Sequence, residues 1–440
     1  MCGLFGARDL FRSRTARDAG WSFLIKLLTT LLGFGSAVLL ARLLGAEGFG
    51  IYSFAYAVVS LLALPAQVGL PNLLVRETAL GMTSAGPEHV KGMWVWAGRV
   101  VFILSTILAL GAIAFLFLTG DGEMDTQTVT ILWALGLVPL VALGNLRGAA
   151  LRGLKKIVSG QFPEFILRPA LLVVLVSVLA FVAAPVTAPQ AMASHVGAAA
   201  IAFGVGGWLL WRHTPPTVRQ ASPRMMSKAW ISSLIPLALI SGIATVERQT
   251  DILMLGWLES ASQVGIYRVA VQSAALVSFG LQAIKLVLAP RFVDLYSAGD
   301  VPALQRLMTR STRVVLAFSA AVAVLFWIFG RFLLGAIFGT DFEAAYPALA
   351  IVVGGQVVNS MVGSVGQLLI MSGHERDTAW ASAFGVLFNV LLNVALIPRL
   401  GISGAAIATA VAMIARNIWL WWAAKKRVGI NSLALRLPKD

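Results

Sequence analysis

Apolar segments of about 20 residues recur along the whole chain, separated by short polar connections. A helix of that length spans the hydrocarbon core of a bilayer, whereas the strands of a membrane barrel are about half as long and alternate in polarity. Of the 440 residues, 58% are hydrophobic and 12% are charged, which is too little charge to cover the surface of a soluble domain. The sequence therefore predicts an all-α polytopic membrane protein.

Twelve transmembrane helices are expected from these segments. The uncharged region 170–211 is too long for one crossing, and Pro185 and Pro189 divide it into two. The predicted spans are Trp21–Leu40, Gly50–Gly69, Met93–Leu118, Thr128–Leu146, Phe165–Ala184, Ala191–Trp211, Trp230–Leu255, Ile266–Ala289, Val314–Phe338, Tyr346–Met371, Ala379–Ile397 and Ser403–Ala423.

A proline-rich, basic loop after the sixth span separates two groups of six helices. The predicted organisation is an N-terminal tail at 1–20, an N-terminal six-helix bundle at 21–213, a linker at 214–228, a C-terminal six-helix bundle at 229–424 and a basic tail at 425–440.

Basic side chains are concentrated in every second connection, and the other connections keep only Arg42 and Arg399. With the N-terminus inside, the inner segments carry many cations, and the outer connections hold acids. The inner cations include Arg76, Arg147, Arg152, Lys156 and Arg224, and the outer acids include Asp121 and Glu259. This asymmetry follows the positive-inside rule, so the tails and the linker are predicted to be cytoplasmic. It also accounts for the net charge of +15 without a nucleic-acid partner.

The tripeptide Gly-Ile-Tyr opens two apolar segments, at Tyr52 and at Tyr267. The shift that aligns the two copies also places Pro65 on Gly280, so each segment carries a helix-weakening residue at the same depth. The repetition predicts two halves of similar architecture.

Four short stretches occur in the same order as in one known family. They are Ala41-Arg42-Leu43-Leu44-Gly45-Ala46-Glu47-Gly48-Phe49-Gly50-Ile51-Tyr52, then Asp251-Ile252-Leu253-Met254-Leu255-Gly256 with Val264-Gly265-Ile266-Tyr267, Gly373-His374-Glu375-Arg376, and Ile397-Pro398-Arg399-Leu400-Gly401-Ile402-Ser403-Gly404-Ala405-Ala406-Ile407-Ala408-Thr409. With them the chain resembles the bacterial polysaccharide flippases of the multidrug/oligosaccharidyl-lipid/polysaccharide exporter superfamily.

This resemblance implies two six-helix bundles around a central cavity. It also implies transport of a polyprenyl-pyrophosphate-linked oligosaccharide from the inner to the outer leaflet of the bacterial inner membrane. The product would feed surface polysaccharide synthesis, such as lipopolysaccharide or exopolysaccharide, with a polymerase and glycosyltransferases as partners.

Charged residues inside the spans are the first candidates for a binding site, because a charge at the bilayer centre costs about 2.5–3.5 kcal/mol on insertion scales. The candidate substrate-binding cations are Lys26, Arg99, Arg248, Arg268 and Lys285. Four arginines near span ends, among them Arg268, can instead extend to the lipid headgroups; the others are Arg168, Arg331 and Arg416.

The deepest charged cluster is Glu247-Arg248-Gln249-Thr250-Asp251 in the seventh span. Two interpretations are open. In one, Arg248 and Asp251 form an internal ion pair, one helical turn apart, that makes their burial tolerable. In the other, Arg248 holds the pyrophosphate, and Glu247 or Asp251 binds a proton or sodium ion that drives transport.

A neutral polar stripe follows one face of the tenth and eleventh spans. Its candidate sugar-binding members are Gln356, Asn359 and Asn389. The same amides are also suited to hydrogen bonds between helices.

Two other functions are compatible with a chain of this class: a drug/cation antiporter of the same superfamily, and an integral-membrane enzyme of polysaccharide synthesis. The excess of intramembrane cations disfavours the antiporter. The sequence contains no HExxH, GxSxG, P-loop or DxD motif, which disfavours an enzyme. The single cysteine and four scattered histidines predict no metal site. No cofactor is expected beyond coupling to H⁺, Na⁺ or the membrane potential.

Overall fold

The computed structural model describes residues 14–67, 69–119 and 124–434, and these are helical throughout apart from short connections. The α-helices are α1 (Arg14–Gln67), α2 (Leu70–Leu80), α3 (Pro87–Thr119), α4 (Thr126–Leu135), α5 (Leu137–Gly153), α6 (Ile157–Phe162), α7 (Arg168–Val182), α8 (Ala188–His213), α9 (Pro216–Gln220), α10 (Ser227–Leu258), α11 (Ala261–Ala274), α12 (Phe279–Ser297), α13 (Val301–Phe338), α14 (Tyr346–Val362), α15 (Val365–Met371) and α16 (Glu375–Arg427). Two π-helical turns, Gly81–Ala85 and Pro163–Leu167, and a 3₁₀ turn, Thr340–Ala345, join some of them.

Eight helices in the described part of the chain are long and apolar enough to cross a membrane, and nine if the bent pair α11–α12 is one span. Two of the eight, α1 and α16, are each divided by a glycine with a positive φ, Gly45 at 67° and Gly401 at 55°. Glycine adopts this conformation without steric cost, so the chain can reverse there with almost no loop. Each of the twelve predicted spans coincides with helix, and the predicted all-α polytopic fold is confirmed.

Several helices are interrupted, and two of the interruptions follow the Gly-Ile-Tyr segments. In the first half, α1 ends at Gln67 and α2 begins at Leu70, after Gly69 with a φ of 73°. In the second half, α11 and α12 meet at a bend of 51°. The interruptions lie near Pro65 and Gly280, the two helix-weakening residues that the sequence repeat aligns.

The chain forms two compact units, which divide inside α1 and inside α10. The first unit is Ile25–Leu253, and the second contains the rest of the described chain. The segment predicted as a linker packs within the first unit, because the Arg224 amide donates to the Glu88 carbonyl (3.0 Å) and Lys91 Nζ donates to the Arg219 carbonyl (2.8 Å). The predicted six-helix boundaries at 214–228 remain a prediction. Residues 1–13 and 435–440 of the predicted tails lie outside the described residues.

The repeated tyrosine makes a corresponding contact in each unit. In the first unit the Tyr52 hydroxyl lies 2.7 Å from Nδ1 of His195 on α8. In the second, the Tyr267 hydroxyl lies 3.2 Å from the Thr409 hydroxyl on α16. The Gly-Ile-Tyr repeat thus joins the start of one helix to a helix about 140 residues further on in the same unit.

An extended segment after α16, residues 428–434, packs into the second unit. Ile430 and Ser432 in this segment are fully buried. Gln305 on α13 pairs with the backbone of Asn431, accepting from its N–H (2.9 Å) and donating to its carbonyl (2.6 Å). The segment therefore obtains from side chains the backbone hydrogen bonds that a helix would supply internally.

Replacing Gln305 tests this arrangement. We expect Gln305→Leu to lower the free energy of unfolding by about 1–3 kcal/mol, because the partly buried N–H and C=O of Asn431 lose the hydrogen bonds from Gln305. Arg427→Ala is the control, since Arg427 and Asp377 form an exposed ion pair (3.3 Å) of a kind worth about 0–1 kcal/mol. Denaturant unfolding of both variants in detergent gives the comparison. Equal losses in the two variants would contradict a structural role for the Gln305 contacts.

Candidate functional site

A cavity of about 720 Å³ lies within the first unit. This volume is in the range of about 300–1,000 Å³ that is usual for small-molecule sites. Its wall is formed by α1, α2, α5, α6, α7 and α10 together with the π-turn Pro163–Leu167. The polar residues of the wall are Tyr56, Ser60, Gln67, Asn72, Asn145, Arg152, Gln161, Glu164, Arg168, Thr245, Arg248 and Gln249. Three arginines thus face the cavity with one carboxylate.

The helix breaks bring polar groups to this wall. Gln67 and Asn72 lie on either side of the α1–α2 interruption, and Asn145 Nδ2 donates to Gln67 Oε1 (3.1 Å). Glu164 lies in the π-turn between α6 and α7. Irregular backbone is tolerated at membrane depth where it lines a cavity, and π-turns are frequent at functional sites.

Glu164 is buried between two arginines. Its Oε1 accepts from Arg147 Nη2 (2.9 Å), and its Oε2 lies 3.4 Å from Arg168 Nη1. The side chains of Arg147 and Glu164 are 6% and 8% exposed, and that of Arg168 is 17% exposed. Arg147 Nη1 also donates to the carbonyl of Phe203, whose ring lies 5.2 Å from the guanidinium carbon. The group carries one net positive charge.

Two glycines make room for this ion pair. A Cβ atom at Gly144 on α5 would collide with the Glu164 carboxylate, and a Cβ at Gly206 on α8 would collide with the Arg147 guanidinium. Both charged groups therefore fill spaces that only glycine leaves open, which fixes their positions.

Of the predicted residues in the first unit, Arg248 lines the cavity. Its Nη2 donates to Thr245 Oγ1 (3.1 Å), and the half-buried Lys26 is close enough for its charge to act on Arg248. Glu247 is exposed and Asp251 is 8% exposed on the same helix. Arg99 is exposed on α3 and is not part of the cavity wall.

The remaining predicted residues lie in the second unit, where the amides form hydrogen bonds with one another. Asn359 donates to Gln356 (3.3 Å) and accepts from Asn417 on α16 (3.0 Å). In the same way Asn389 accepts from Asn393 (3.1 Å). The Asn417–Asn359 contact joins two helices, as in the interhelical alternative for the polar stripe, whereas each of the other two lies within one helix. Sugar binding there stays a prediction. Arg268 and Lys285 are partly buried on α11 and α12.

Sequence reasoning missed Arg147 and Arg152, which it assigned to an inner connection after Leu146. Helix α5 continues to Gly153 and carries both arginines within an apolar helix. Arg168, for which the sequence also allows an extension to the headgroups, lines the cavity. The available signal was Glu164 itself, because a carboxylate in an apolar segment requires a cation within reach.

Comparison with known families supports this architecture. A family profile described as "Polysaccharide biosynthesis protein" matches residues 15–296, and a profile described as "MatE" matches residues 236–395. The chain belongs to the polysaccharide biosynthesis protein family. The first match contains every helix that forms the cavity wall.

Two relatives of this family member come from Haloferax volcanii. "Probable flippase AglR" is 25% identical over 423 residues, which cover 92% of this chain and 82% of AglR. "Probable low-salt glycan biosynthesis flippase Agl15" is 26% identical over 170 residues, so the match spans 38% of this chain and 36% of Agl15.

Solved structures with the same fold include two transporters. An inward-facing multidrug resistance MATE family transporter of the MOP superfamily has a TM-score of 0.76 at 14% identity, covering 91% of this chain and 94% of that protein. The lipid II flippase MurJ, in an inward closed conformation, has a TM-score of 0.72 at 11% identity, covering 91% and 87%. These likenesses establish the fold of this polysaccharide biosynthesis protein.

Two adjacent glycines on α8 provide a matched test of the buried ion pair. We expect Gly206→Ala to lower the free energy of unfolding by about 1–3 kcal/mol, because the new methyl group displaces the Arg147 guanidinium from Glu164. Gly207 has open space around its Cα, so Gly207→Ala should be neutral or stabilise the helix by up to about 1 kcal/mol. Unfolding curves of the two variants in detergent measure the difference, and equal stabilities would show that the pair is not held in a fixed position.

Proposed function

We propose that this protein is a flippase for a polyprenyl-pyrophosphate-linked oligosaccharide. It moves the lipid from the cytoplasmic to the outer leaflet of the bacterial inner membrane by alternating access, for surface polysaccharide synthesis. The observation that carries this proposal is the composition of the cavity wall, with three arginines, one glutamate and several amides.

This wall suits a ligand that is anionic at one end and rich in hydroxyl groups at the other. The planar guanidinium group can donate to two phosphate oxygens at once. Amides such as Asn72, Gln161 and Gln249 supply donors and acceptors for sugar hydroxyls. The Gln249 Oε1 atom is buried without a hydrogen-bond partner among the described residues, and a sugar hydroxyl can supply one.

The relatives agree with this function. AglR and Agl15 both carry the word flippase in their names, and AglR matches over 92% of this chain. MurJ, with the same fold, is described as a flippase for lipid II. The family description, polysaccharide biosynthesis, is consistent with a glycan as the transported group.

The alternative of a drug/cation antiporter draws support from the MATE fold and from the MatE match. A cationic drug would, however, meet three arginines in this cavity, and like charges repel strongly in a low dielectric. An enzyme of polysaccharide synthesis is disfavoured because the matched proteins are described as flippases and transporters.

Orientation and coupling complete the proposal. The basic connections support a cytoplasmic position for both termini. Glycosyltransferases would act before transport and a polymerase after it. Glu247 and Asp251 are the proposed ion-coupling residues, for H⁺ or Na⁺, and the membrane potential can also bias movement of a charged ligand.

The charge of Arg248 is a direct test. We expect Arg248→Ala to slow transport of a fluorescent lipid-linked oligosaccharide in proteoliposomes by about tenfold or more, because a charge-assisted hydrogen bond to phosphate is lost. Arg248→Lys keeps the charge without the planar fork and should retain part of the rate.

Arg331→Ala is the matched control, since Arg331 forms an exposed ion pair with Glu343 at 2.9 Å and is outside the cavity. Equal rates for wild type, Arg248→Ala and Arg331→Ala would contradict a role for Arg248 in substrate binding.

A further inference from the structure

The two arginines that flank Glu164 are held differently. Both terminal nitrogens of Arg147 are engaged, Nη2 with Glu164 and Nη1 with the Phe203 carbonyl, and its guanidinium fills the space opposite Gly206. Its Nε has no hydrogen-bond partner among the described residues. Arg168 faces the cavity, and its Nη1 is buried without a hydrogen-bond partner among the described residues. The same nitrogen lies 3.4 Å from Glu164 Oε2, which is ion-pair distance without hydrogen-bond geometry. Arg147 is therefore a permanent partner of Glu164, and Arg168 is a weakly engaged one.

The two carboxylate oxygens are divided between these partners. Oε1 accepts from Arg147, and Oε2 is directed to Arg168. If Arg168 turns to another anion, Glu164 still keeps the hydrogen bond from Arg147. The Glu164 carboxylate therefore stays paired when Arg168 moves away. A buried carboxylate without any partner would be the main obstacle to such a movement.

The backbone places both groups at the cavity wall. The π-turn Pro163–Leu167 precedes α7, and the Arg168 amide closes it by donating to the Pro163 carbonyl. Glu164 and Arg168 lie four residues apart on one face, and both line the same cavity as Arg152 and Arg248. An anion that reaches Arg168 thus enters a wall with two further cations.

We propose that Arg168 binds the phosphate group of the transported lipid and that Glu164 is its resident counter-ion, displaced when the phosphate arrives. This inference rests on the proposed function and assigns two residues of the same cavity. The pyrophosphate group as a whole carries more negative charge and more acceptor oxygens than a carboxylate, so it competes successfully for Arg168. When the phosphate leaves, Glu164 takes its place again, so the arginine always has an anionic partner and release is eased.

The test measures binding to the full-length protein in phosphatidylcholine nanodiscs, by isothermal titration calorimetry with geranyl pyrophosphate and with inorganic phosphate as probes. We expect Arg168→Gln to weaken geranyl pyrophosphate binding by about tenfold or more, and Arg168→Lys to weaken it less. Glu164→Gln should strengthen binding several-fold, because it removes the competing charge. Arg331→Gln, which breaks an exposed Arg–Glu pair elsewhere, should leave binding unchanged.

The increase in affinity on removing Glu164 is the decisive result, because a residue with only a structural role would not produce it. Folded Glu164→Gln with unchanged or weaker binding overturns the counter-ion role, and unchanged binding by Arg168→Gln overturns the assignment of Arg168. Where Glu164→Gln does not fold because Arg147 has lost its partner, the double variant Arg147→Met/Glu164→Leu replaces the pair with apolar side chains. It should show the same gain in affinity, and no gain there also overturns the proposal.

Two comparisons identify the source of the phosphate. Inorganic phosphate binding as tightly as geranyl pyrophosphate would indicate a site for free phosphate and overturn the assignment to a lipid-linked group. Loss of geranyl pyrophosphate binding in nanodiscs that contain phosphatidylglycerol would indicate a bilayer phospholipid as the ligand and would also overturn the assignment to a lipid-linked group. Equal affinity for geranyl pyrophosphate in the two bilayers supports that assignment.

Transport assays of the same variants separate this inference from the proposed function. If the wild-type protein transports the lipid-linked oligosaccharide, and Arg168→Gln binds and transports equally well, the proposed function stands and the role of Arg168 is overturned. If the wild-type protein transports none of this lipid, but the variants show the expected gains and losses in geranyl pyrophosphate affinity, the proposed function is overturned. The anion exchange at Arg168 then stands.

Discussion

The carboxylate of Glu164 is buried within a helix that crosses the membrane, and much of the first unit is arranged around it. Arg147 neutralises it at 2.9 Å, and glycines on two other helices leave the space that the pair occupies. A charge at this depth is tolerated only when it is paired and hydrogen-bonded. Once Glu164 and Arg147 neutralise each other, the charges of Arg152, Arg168 and Arg248 remain for a ligand. The cavity wall is therefore cationic.

The two units share a pattern of connections but differ in their chemistry. Each has a Gly-Ile-Tyr segment whose tyrosine contacts a later helix, His195 in one unit and Thr409 in the other. The first unit contains the arginine-lined cavity. In the second unit, the amides Gln356, Asn359 and Asn389 are joined to each other or to neighbouring asparagines. The two units thus share this tyrosine contact and differ in their polar groups.

The architecture could be predicted from local features of the sequence. Each span is a contiguous apolar segment, and the alternation of basic and acidic connections constrains how many spans there are. The interruptions near Pro65 and Gly280 followed from residues that weaken helices wherever they occur. Information of this kind is contained within about 20 residues, so one sequence suffices to extract it.

The cavity could not be predicted in the same way, because its residues depend on contacts between distant segments. The position of Arg147 depends on Gly206, on a helix that follows much later in the chain. Sequence reasoning ended the fourth span at Leu146 and did not connect Arg147 and Arg152 with the site, whereas the helix continues to Gly153. For the same reason the partner of Asn359, Asn417 on α16, could not be identified from the spacing of the polar stripe.

The central claim is that this cavity binds an anionic phosphate group attached to a glycan. The most direct measurement compares two fluorescent lipids with the same glycan in proteoliposomes, one joined through pyrophosphate and one through an uncharged linkage, and follows movement between leaflets by chemical quenching of the outer leaflet. The account predicts rapid movement of the pyrophosphate lipid and little movement of the uncharged one. Equal rates for the two lipids, or transport of neither, would contradict it.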